Sequence, residues 1–574
     1  MKRQRPADAL RRARVSPQLH LGKIQLRRRR PCAMIAPPNG RRPLGREDHM
    51  KNASLGRSRR LSIRLGVAAA LLVGSGVASW AIVTEVSLVE KLHGGVIEHT
   101  DQAALRAMRN RDAYQDAFTH GDAIFSDLFN AVDGAGANVG NGARFTRFPR
   151  PDLVGQDAEG RLMWASHIPK RITGPDTNSC NSCHSLGGGD GAGDTGSNVI
   201  RDPGRTGNPA LWISRNAPHV FGLGAIQRLA EEMTTKLKGI RDDAQQAACT
   251  SGAPVTAALT AKGTSYGSIT VSCDGAVDTS AIEGLDKDLI VKPFQWKGSK
   301  KFIRDFVRGA ATNEVGMQGV EIVGEGVDGD GDGVVNELTV GDVTALAMYQ
   351  ASQPRPVTKL ELASLGLMQL SDDEKAAIKR GTGVFNDLQC DTCHKPQMKI
   401  SNPLFSEPSQ MAEYRDAKFP SGADPVSLGI DPAHPITFDL TKDTPENVLT
   451  RASCPECKAL GDHTIHLGAF KKDSLGRAIV SLYGDLKRHD MGPGLAEPVD
   501  EVGTGASVFL TRTLWGVGST APYLHDGRAS TLTEAVLEHG GEAAASRDAF
   551  TAASSREQAD LIAFLNNLIL FKPN

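Results

Sequence analysis

Three patterns of apolar and polar residues run along this chain. The first is a stretch of 19 residues without charge, from Leu65 to Val83, which follows a cluster of arginines. A charged segment followed by an apolar one is typical of an export signal, and this length also allows a single membrane anchor. We therefore expect residues 61–83 to be a signal peptide or an anchor, behind a basic tail over 1–60. Met50 is an alternative start of the chain.

The second pattern has the spacing of an α-helix, and the third has the alternation of apolar and polar residues that is typical of β-strands. Apolar residues recur at helical spacing over 358–367, 371–380 and 556–571, and Ser371 with Glu374 has the spacing of a capping box. Between Cys249 and Cys273, two short β-like runs flank a glycine-containing turn. We predict a mainly α fold with long loops and one small β-hairpin insertion, closed by a Cys249–Cys273 disulfide.

Composition and charge exclude several classes of protein. Apolar residues are 40% of the 574, which fits a globular protein, whereas aromatic residues are only 5%. The formal net charge is zero, yet residues 1–60 hold 18 Lys+Arg against 3 Asp+Glu, so that the remainder is acidic. Because an export segment follows the basic tail and aromatics are scarce, we expect no nucleic-acid partner.

Two copies of one cysteine motif carry the chemistry. Cys180 and Cys183 precede His184, and Cys390 and Cys393 precede His394. Cys-x-x-Cys-His is the attachment signature of c-type haem, in which two thiols on one helical turn bind the haem and the histidine ligates its iron. The sequence therefore predicts two covalently bound haem c groups, with His184 and His394 as iron ligands.

The spacing of the two motifs predicts two cytochrome c-like helical domains with one haem each. We place the N-terminal domain at 84–355, with an insertion at 240–290 and an acidic loop at 328–339. The C-terminal domain follows at 356–574.

Four further stretches resemble the di-haem oxidoreductase branch of the bacterial di-haem cytochrome c peroxidase superfamily. They are residues 215–222, 313–317, 489–492 and 514–528. The resemblance implies an exported, periplasmic di-haem peroxidase that reduces hydrogen peroxide with electrons from a small donor protein, a cytochrome c or a cupredoxin. Two alternatives stay open: a di-haem oxygenase or oxidase of an organic or protein substrate, and a non-catalytic electron carrier.

The resemblance also implies a second ligand for the C-terminal haem iron. In the family this ligand lies fourteen residues after the histidine of Pro-Tyr-x-His-x-Gly, which is His525 here, and the count gives His539. His489 and Met491 are rivals, and His539 could instead be a surface histidine at a helix end.

At the N-terminal haem this chain departs from the peroxidase pattern. Relatives carry a distal histidine at the position of Asn208, so an open sixth coordination site is expected beside His184. His219 and Trp212 remain as residues of the pocket.

Peroxide cleavage needs a group that moves a proton between the two oxygens. Glu314 is the catalytic candidate, because its segment is similar to the family's distal glutamate segment; a surface carboxylate is the alternative. Glu231 and Glu232 are weaker candidates.

Two calcium sites are expected. Asp328, Asp330 and Asp332 with Asn336 resemble the first nine positions of an EF-hand loop, although position 12 is Thr339 and Glu337 stands two residues earlier. The alternative is an acidic turn without an ion. A second, interdomain calcium is implied by the resemblance alone; its positions are Asn216, Thr520 and Pro522.

A last cysteine pair, Cys454 and Cys457, leaves three interpretations open. It forms a local disulfide, a zinc site with His463 and His466, or the attachment site of a third haem with Lys458 as ligand.

Overall fold

A computed structural model describes residues 97–136, 156–161, 163, 175–201, 203, 208–445, 448–449 and 464–571. All of them belong to one compact unit that runs from Gly74 to Asn574. The basic tail and the predicted signal or anchor segment lie outside the described residues. Among the described residues, no helix is both long and apolar enough to span a membrane.

Helices dominate the described part of the chain, as the sequence predicts. The twelve α-helices of this part are α1 Gln102–Ala107, α2 Asn110–Ser126, α3 Cys180–Cys183, α4 Leu223–Ser251, α5 Ile303–Ala310, α6 Val320–Val323, α7 Val340–Ala351, α8 Lys359–Ser364, α9 Asp372–Asp387, α10 Leu532–Leu537, α11 Ala544–Ala552 and α12 Ser555–Leu565. A π-helical turn, Ala311–Val315, continues α5.

The strands are short and form small antiparallel sheets. They are β1 Val199–Arg201, β2 Ile213–Arg215, β3 Val255–Ala261, β4 Thr264–Val271, β5 Val277–Asp278, β6 Val357–Thr358, β7 Met398–Ile400, β8 Leu404–Glu407, β9 Ile436–Asp439, β10 Val448–Leu449, β11 Ile465–His466, β12 Ala478–Val480, β13 Arg488–Asp490, β14 Val508–Leu510 and β15 Leu568–Ile569. The pairs are β1–β2, β7–β12, β8–β9, β10–β11, β13–β14 and β6–β15, and β3, β4 and β5 form one three-stranded sheet.

The predicted hairpin insertion is confirmed and carries a third strand. β3 pairs with β4 over Val255–Val271, and β5 adds to the other edge of β4. Cys249 at the end of α4 forms a disulfide with Cys273. This covalent link ties the sheet to the long helix from which it emerges.

The predicted C-terminal helices are confirmed in position, with two corrections to their length. Ser371 and Glu374 form the capping box of α9. The helical pattern over 556–571 predicts too long a helix, because α12 ends at Leu565 and Leu568–Ile569 pair with Val357–Thr358. The same pairing makes the start of 358–367 a strand, and α8 begins only at Lys359.

Two hydrophobic cores lie beside the two haem motifs. The larger core joins α2, α4 and α7, and residues from 398–486 pack into it; Cys180 lies against it. The smaller core joins α9, α10 and α12, and Cys390 packs against that one.

A glycine permits close helix crossing in each core. A Cβ atom at Gly121 of α2 would collide with the carbonyl of Ala345 in α7, and one at Gly381 of α9 would collide with the carbonyl of Asp560 in α12. Because glycine has no Cβ, the two backbones can approach at both places. Each crossing fixes the helix pair on which one haem motif rests.

Candidate haem sites and acidic loop

The N-terminal motif is built on a single helical turn. Cys180 and Cys183 are the first and last residues of α3 and are half-buried thiols that form no disulfide with another described residue. His184 follows at the end of this turn and donates its Nδ1–H to the carbonyl of Gly191 at 3.2 Å. Burial lowers the pKa of His184. The ring is thus neutral and tied at Nδ1, which leaves Nε2 for a metal, the arrangement expected of an iron ligand.

The C-terminal motif repeats this arrangement. Cys390 opens a short 3₁₀ turn and, like Cys393, is a free thiol. His394 donates its Nδ1–H to the carbonyl of Tyr483 at 3.2 Å. Burial, together with the nearby His539, lowers the pKa of His394 to about 4. The second proximal histidine is therefore also neutral, with Nε2 available.

His539 lies opposite His394. It follows the end of α10, and its Nδ1–H donates to the carbonyl of Ala535 at 2.7 Å. As in the two proximal histidines, Nε2 is therefore the ring nitrogen available to a metal. The two ring centroids are 6.4 Å apart. Two metal–nitrogen bonds of about 2.0–2.1 Å, added to the distance from each nitrogen to the centroid of its ring, give a sum close to this separation. The pair fits the two axial positions of one haem iron.

The rivals of His539 differ in their surroundings. Both ring nitrogens of His489 meet carboxylates, Nε2 with Asp485 at 2.9 Å and Nδ1 with Glu542 at 2.7 Å. Although burial opposes it, the hydrogen bond to Asp485 raises the pKa of His489 to about 11. His489 is thus a cation without a free lone pair. Met491 lines the same cavity as His539.

The space between these histidines is a cavity of about 260 Å³, lined mostly by apolar side chains. Phe385, Leu532 and Val536 form part of its wall, and both cysteines of the second motif open into it. An apolar cavity with two free thiols and two neutral histidines has the donor set that a covalently bound haem requires. The residues present fit the group.

The cavity continues towards the N-terminal motif, where it is lined by His219, Arg512 and Trp515. His219 donates its Nε2–H to the carbonyl of Trp515 at 2.9 Å, while its buried Nδ1 has no hydrogen-bond partner. Burial, assisted by Arg512, lowers the pKa of His219 to about 3. Arg512 lies 5.1 Å from the ring centroid of Trp296. Arg512 and Trp296 could not be predicted from the sequence, because a single arginine and a single tryptophan carry no spacing signal.

Asn208 has a local role. Its side-chain oxygen accepts a hydrogen bond from the amide of Ala210 at 3.1 Å and so caps the 3₁₀ turn Pro209–Leu211. Trp212 follows this turn directly.

Glu314 lies beside the N-terminal motif. It belongs to the π-helical turn Ala311–Val315, and its carbonyl accepts the amides of Asp176 and Thr177 at 3.0 and 3.2 Å, just before Cys180. Burial raises the pKa of Cys180 and lowers that of His184; the charge of Glu314, after that of Asp190, adds to the first shift and counteracts the second. π-helical turns are frequent at functional sites. The fold thus places Glu314 in the neighbourhood of the N-terminal motif.

Glu231 and Glu232 serve other contacts. Glu231 is buried and accepts hydrogen bonds from Gln227 at 3.0 Å and Ser409 at 2.8 Å. Glu232 accepts the amides of Ser401 and Asn402 and pairs with Lys262 at 2.6 Å. These bonds attach α4 to the segment after β7, so both carboxylates are structural.

The acidic loop gathers three of its four predicted residues. One carboxylate oxygen from each of Asp328, Asp330 and Asp332 lies within 4.8 Å of the others. The side-chain oxygen of Asn336 instead accepts the amide of Gly326 at 2.7 Å. Glu337 is buried nearby, and burial followed by the charge of Asp330 raises its pKa to about 9.

The residues of the implied interdomain calcium also meet. The side-chain amide of Asn216 donates to the carbonyl of Pro522 at 2.7 Å, and the buried Oδ1 of Asn216 has no hydrogen-bond partner. Thr520 lines the same cavity. Side-chain and backbone oxygens of this kind are what calcium binds.

The third cysteine pair stays a prediction. Cys454, Cys457, Lys458 and His463 lie outside the described residues. His466 is exposed and its Nδ1 lies 2.7 Å from a carboxylate oxygen of Asp443.

Comparison with known proteins supports the C-terminal part of this assignment. Residues 445–568 match the family described as "Di-haem oxidoreductase, putative peroxidase", which confirms the resemblance over this stretch. The search of curated proteins found no match.

Two solved structures are similar to this chain at low levels. One is a MauG-like protein associated with microbial copper homeostasis, with 13% identity, a TM-score of 0.23, and coverage of 61% of this chain and 89% of that one. The other is the hydrazine synthase of Kuenenia stuttgartiensis, with 14% identity, a TM-score of 0.28, and coverage of 89% and 100%. Such low scores carry no argument.

Proposed function

We propose that this protein, whose residues 445–568 match the di-haem oxidoreductase family, is an exported c-type enzyme that reduces hydrogen peroxide. Two electrons and two protons convert one hydrogen peroxide molecule into two water molecules. The electrons come from a small donor protein, a cytochrome c or a cupredoxin.

Each haem has a defined set of residues to hold it. Cys180 and Cys183 would attach the first, with His184 as iron ligand. The second would be attached through Cys390 and Cys393, its iron ligated by His394 and His539; when bound, the two haems supply electron transfer and the iron at which peroxide reacts. The chain itself fixes the histidine tautomers through the carbonyls of Gly191, Tyr483 and Ala535.

One observation carries the proposal: the two proximal histidines have different partners. His394 has a second histidine at 6.4 Å between ring centroids, which suits electron transfer by an iron with both axial positions filled. Among the described residues, no histidine ring is paired that closely with His184, although His184, after burial, contributes to the lowered pKa of His219, and the carboxylates that act on His184 are Asp190 and Glu314. An iron with one protein ligand and a neighbouring carboxylate suits a site for peroxide.

Glu314 supplies the proton chemistry in this proposal. Its carboxylate would accept a proton from one peroxide oxygen and return it to the other, so that the oxygen–oxygen bond breaks with water as the leaving group. Such acid–base assistance is typically worth about 10²–10⁴ in rate. The backbone bonds from Asp176 and Thr177 to the Glu314 carbonyl attach this residue to the segment that leads into the haem motif.

Export to the periplasm is supported by two features. The uncharged run 65–83 follows a basic segment, as export signals and anchors do. The Cys249–Cys273 disulfide fits an oxidising compartment. The cleavage or retention of residues 65–83 decides between a free and a membrane-anchored protein.

The interdomain calcium belongs to the same proposal. Asn216 Oδ1 lacks a hydrogen-bond partner beside the carbonyl of Pro522, and an ion there would use both oxygens. Calcium would then join the loop before α4 to the loop before α10.

The test is single-turnover mixing of the fully reduced holoprotein with one equivalent of hydrogen peroxide. We expect rapid oxidation of both haems, one peroxide consumed per two electrons, and one high-spin haem in the resting spectrum. Two low-spin haems with no peroxide consumption would identify an electron carrier instead. Oxygen uptake that requires an added organic substrate would identify an oxygenase.

A further inference from the structure

The loop after α6 contains a buried carboxylate with weak polar contacts. Asp330 is 5% exposed, and neither of its carboxylate oxygens has a hydrogen-bond partner in good geometry. Burial raises its pKa, and the side chain of Gln318 and the amide of Asp332 only partly counteract this shift. Burying an ionised group with so little compensation is unfavourable. Its neighbourhood is acidic, since oxygens of Asp328 and Asp332 lie within 4.8 Å. A bound cation would offset this accumulation of negative charge.

Glu337 is a fourth carboxylate near this group. Its side chain is 3% exposed, and a Cβ atom at Gly134 would collide with it, so the loop after α2 covers it. Its Oε2 accepts the amide of Gln318 at 2.6 Å. Burial, followed by the charges of the three aspartates, raises its pKa to about 9. Its oxygens do not belong to the group of aspartate oxygens that lie within 4.8 Å of one another, so Glu337 would have to turn towards an ion to bind it.

We propose that Asp328, Asp330, Asp332 and Glu337 bind one calcium ion, and that this ion fixes the π-helical turn that carries Glu314. Calcium bonds to oxygen are about 2.3–2.6 Å long, so ligand oxygens on opposite sides of one ion are about 4.6–5.2 Å apart. The separation of the three aspartate oxygens fits within this limit. Hard oxygen ligands with several negative charges favour calcium over softer metals.

The connection to Glu314 runs through the backbone. The amide of Gln318, four residues after Glu314, is bound by the Glu337 carboxylate, and Gly319 pairs with Leu338. Between them, Met317 is fully buried and donates its amide to the carbonyl of Ala311 at the start of the π-helical turn. An ion that holds Glu337 therefore holds the C-terminal end of this turn.

The sequence template predicts a different fourth residue. Asn336 occupies the ninth position of the EF-hand pattern, but its side chain is bound to Gly326 and its φ of 55° places it in the left-handed region. This turn brings Glu337, the next residue, to the inner side. Calcium binding by these carboxylates does not depend on any catalytic role. The importance of the ion for the turn that carries Glu314 rests on the function proposed for Glu314.

The first experiment counts calcium ions in the full-length holoprotein after chelator treatment and dialysis against calcium. Asp330→Asn should lower the content by one calcium per chain, and Glu337→Gln should weaken binding at least tenfold. Glu325→Gln, an exposed carboxylate of the same loop, is the matched control and should change nothing. Unchanged calcium content and affinity in Asp330→Asn would overturn the site.

The variant should fold, because Asp330→Asn removes repulsion from an ion-free cluster. Calcium should raise the Tm of the wild type more than that of Asp330→Asn. An equal response of the two proteins would also contradict the site.

The second experiment measures hydrogen exchange of residues 311–318 without peroxide or donor. Calcium should slow exchange there in the wild type and not in Asp330→Asn. Calcium binding without protection of this segment would overturn the link to Glu314. Because neither experiment uses peroxide, failure of the proposed peroxidase activity would leave both results interpretable.

Discussion

His184 and His394 each donate Nδ1–H to a backbone carbonyl at 3.2 Å, one to Gly191 and the other to Tyr483. Each motif also rests on a helix pair that crosses at a glycine, Gly121 in one case and Gly381 in the other. On the proximal side the two sites are thus built by the same means. A short motif and one carbonyl are sufficient to orient an iron ligand.

The opposite sides differ. His539, at the end of α10, faces His394, whereas the carboxylates that act on His184 are Asp190 and, more weakly, Glu314 from a π-helical turn. His539 and Glu314 both come from segments more than a hundred residues away in sequence. Attachment is thus a local property of the chain, whereas the proposed division into an electron-transfer site and a reaction site depends on which distant segment completes each pocket.

The largest effect is expected when one cysteine pair is removed, which tests whether both motifs attach a haem covalently. The double substitution Cys180→Ser with Cys183→Ser should lower the covalent haem content from two to one, because the thioether bonds cannot form. Cys390→Ser with Cys393→Ser is the matched variant and should do the same. Intact mass and the pyridine haemochrome measure the content; three haems in the wild type would contradict the count and point to Cys454, Cys457 and Lys458.

The next effect should appear at one site only. His539→Ala removes the second histidine from the His394 pair, so one low-spin haem should become high-spin or water-ligated while the other keeps its spectrum. Electron paramagnetic resonance measures both haems together.

The control for this variant is His434→Ala, which changes an exposed histidine paired with Asp431. The assignment of His539 is wrong if Met491→Ala or His489→Ala produces the change in spin state and His539→Ala does not.

Glu314→Gln tests the other side of the comparison. The amide keeps the shape of the side chain but cannot accept the proton, so peroxide reduction should fall by about 10²–10⁴, or ~3–5 kcal/mol of barrier. Haem content and spectra should stay unchanged. Stopped-flow mixing of the reduced protein with peroxide measures the rate.

Glu325→Gln provides the carboxylate control for the rate measurement. A wild-type rate in Glu314→Gln would make Glu314 a structural carboxylate and direct attention to His219.

The smallest effect concerns a region that belongs to neither site. Replacement of Cys249 and Cys273 by alanine opens a loop with a sequence separation of 24 residues, and should lower the free energy of unfolding by about 3 kcal/mol. Urea unfolding followed by circular dichroism measures this loss. Haem content and peroxide reduction should not change; a change in either would show that the hairpin sheet supports one of the pockets.

The sequence by itself determined the local features. Two Cys-x-x-Cys-His motifs, the capping box of Ser371 and the cysteine-flanked hairpin are all encoded within a few residues or one turn. These features follow from short-range geometry, which a single sequence carries in its spacing. His539, which lies opposite His394, was predicted by the resemblance to the di-haem family, through the count of fourteen residues from His525.

Only the tertiary structure decided which residues meet across long separations. The apolar periodicity over 556–571 could not reveal that Leu568–Ile569 would pair with Val357–Thr358 and end the helix at Leu565. The loop template favoured Asn336, but its side chain binds the amide of Gly326, while Glu337 is buried under Gly134. The carbonyls that orient His184 and His394, and the position of Glu314 beside the first motif, also depend on packing. Contacts of this kind arise from the burial of whole elements against each other, and no local spacing records them.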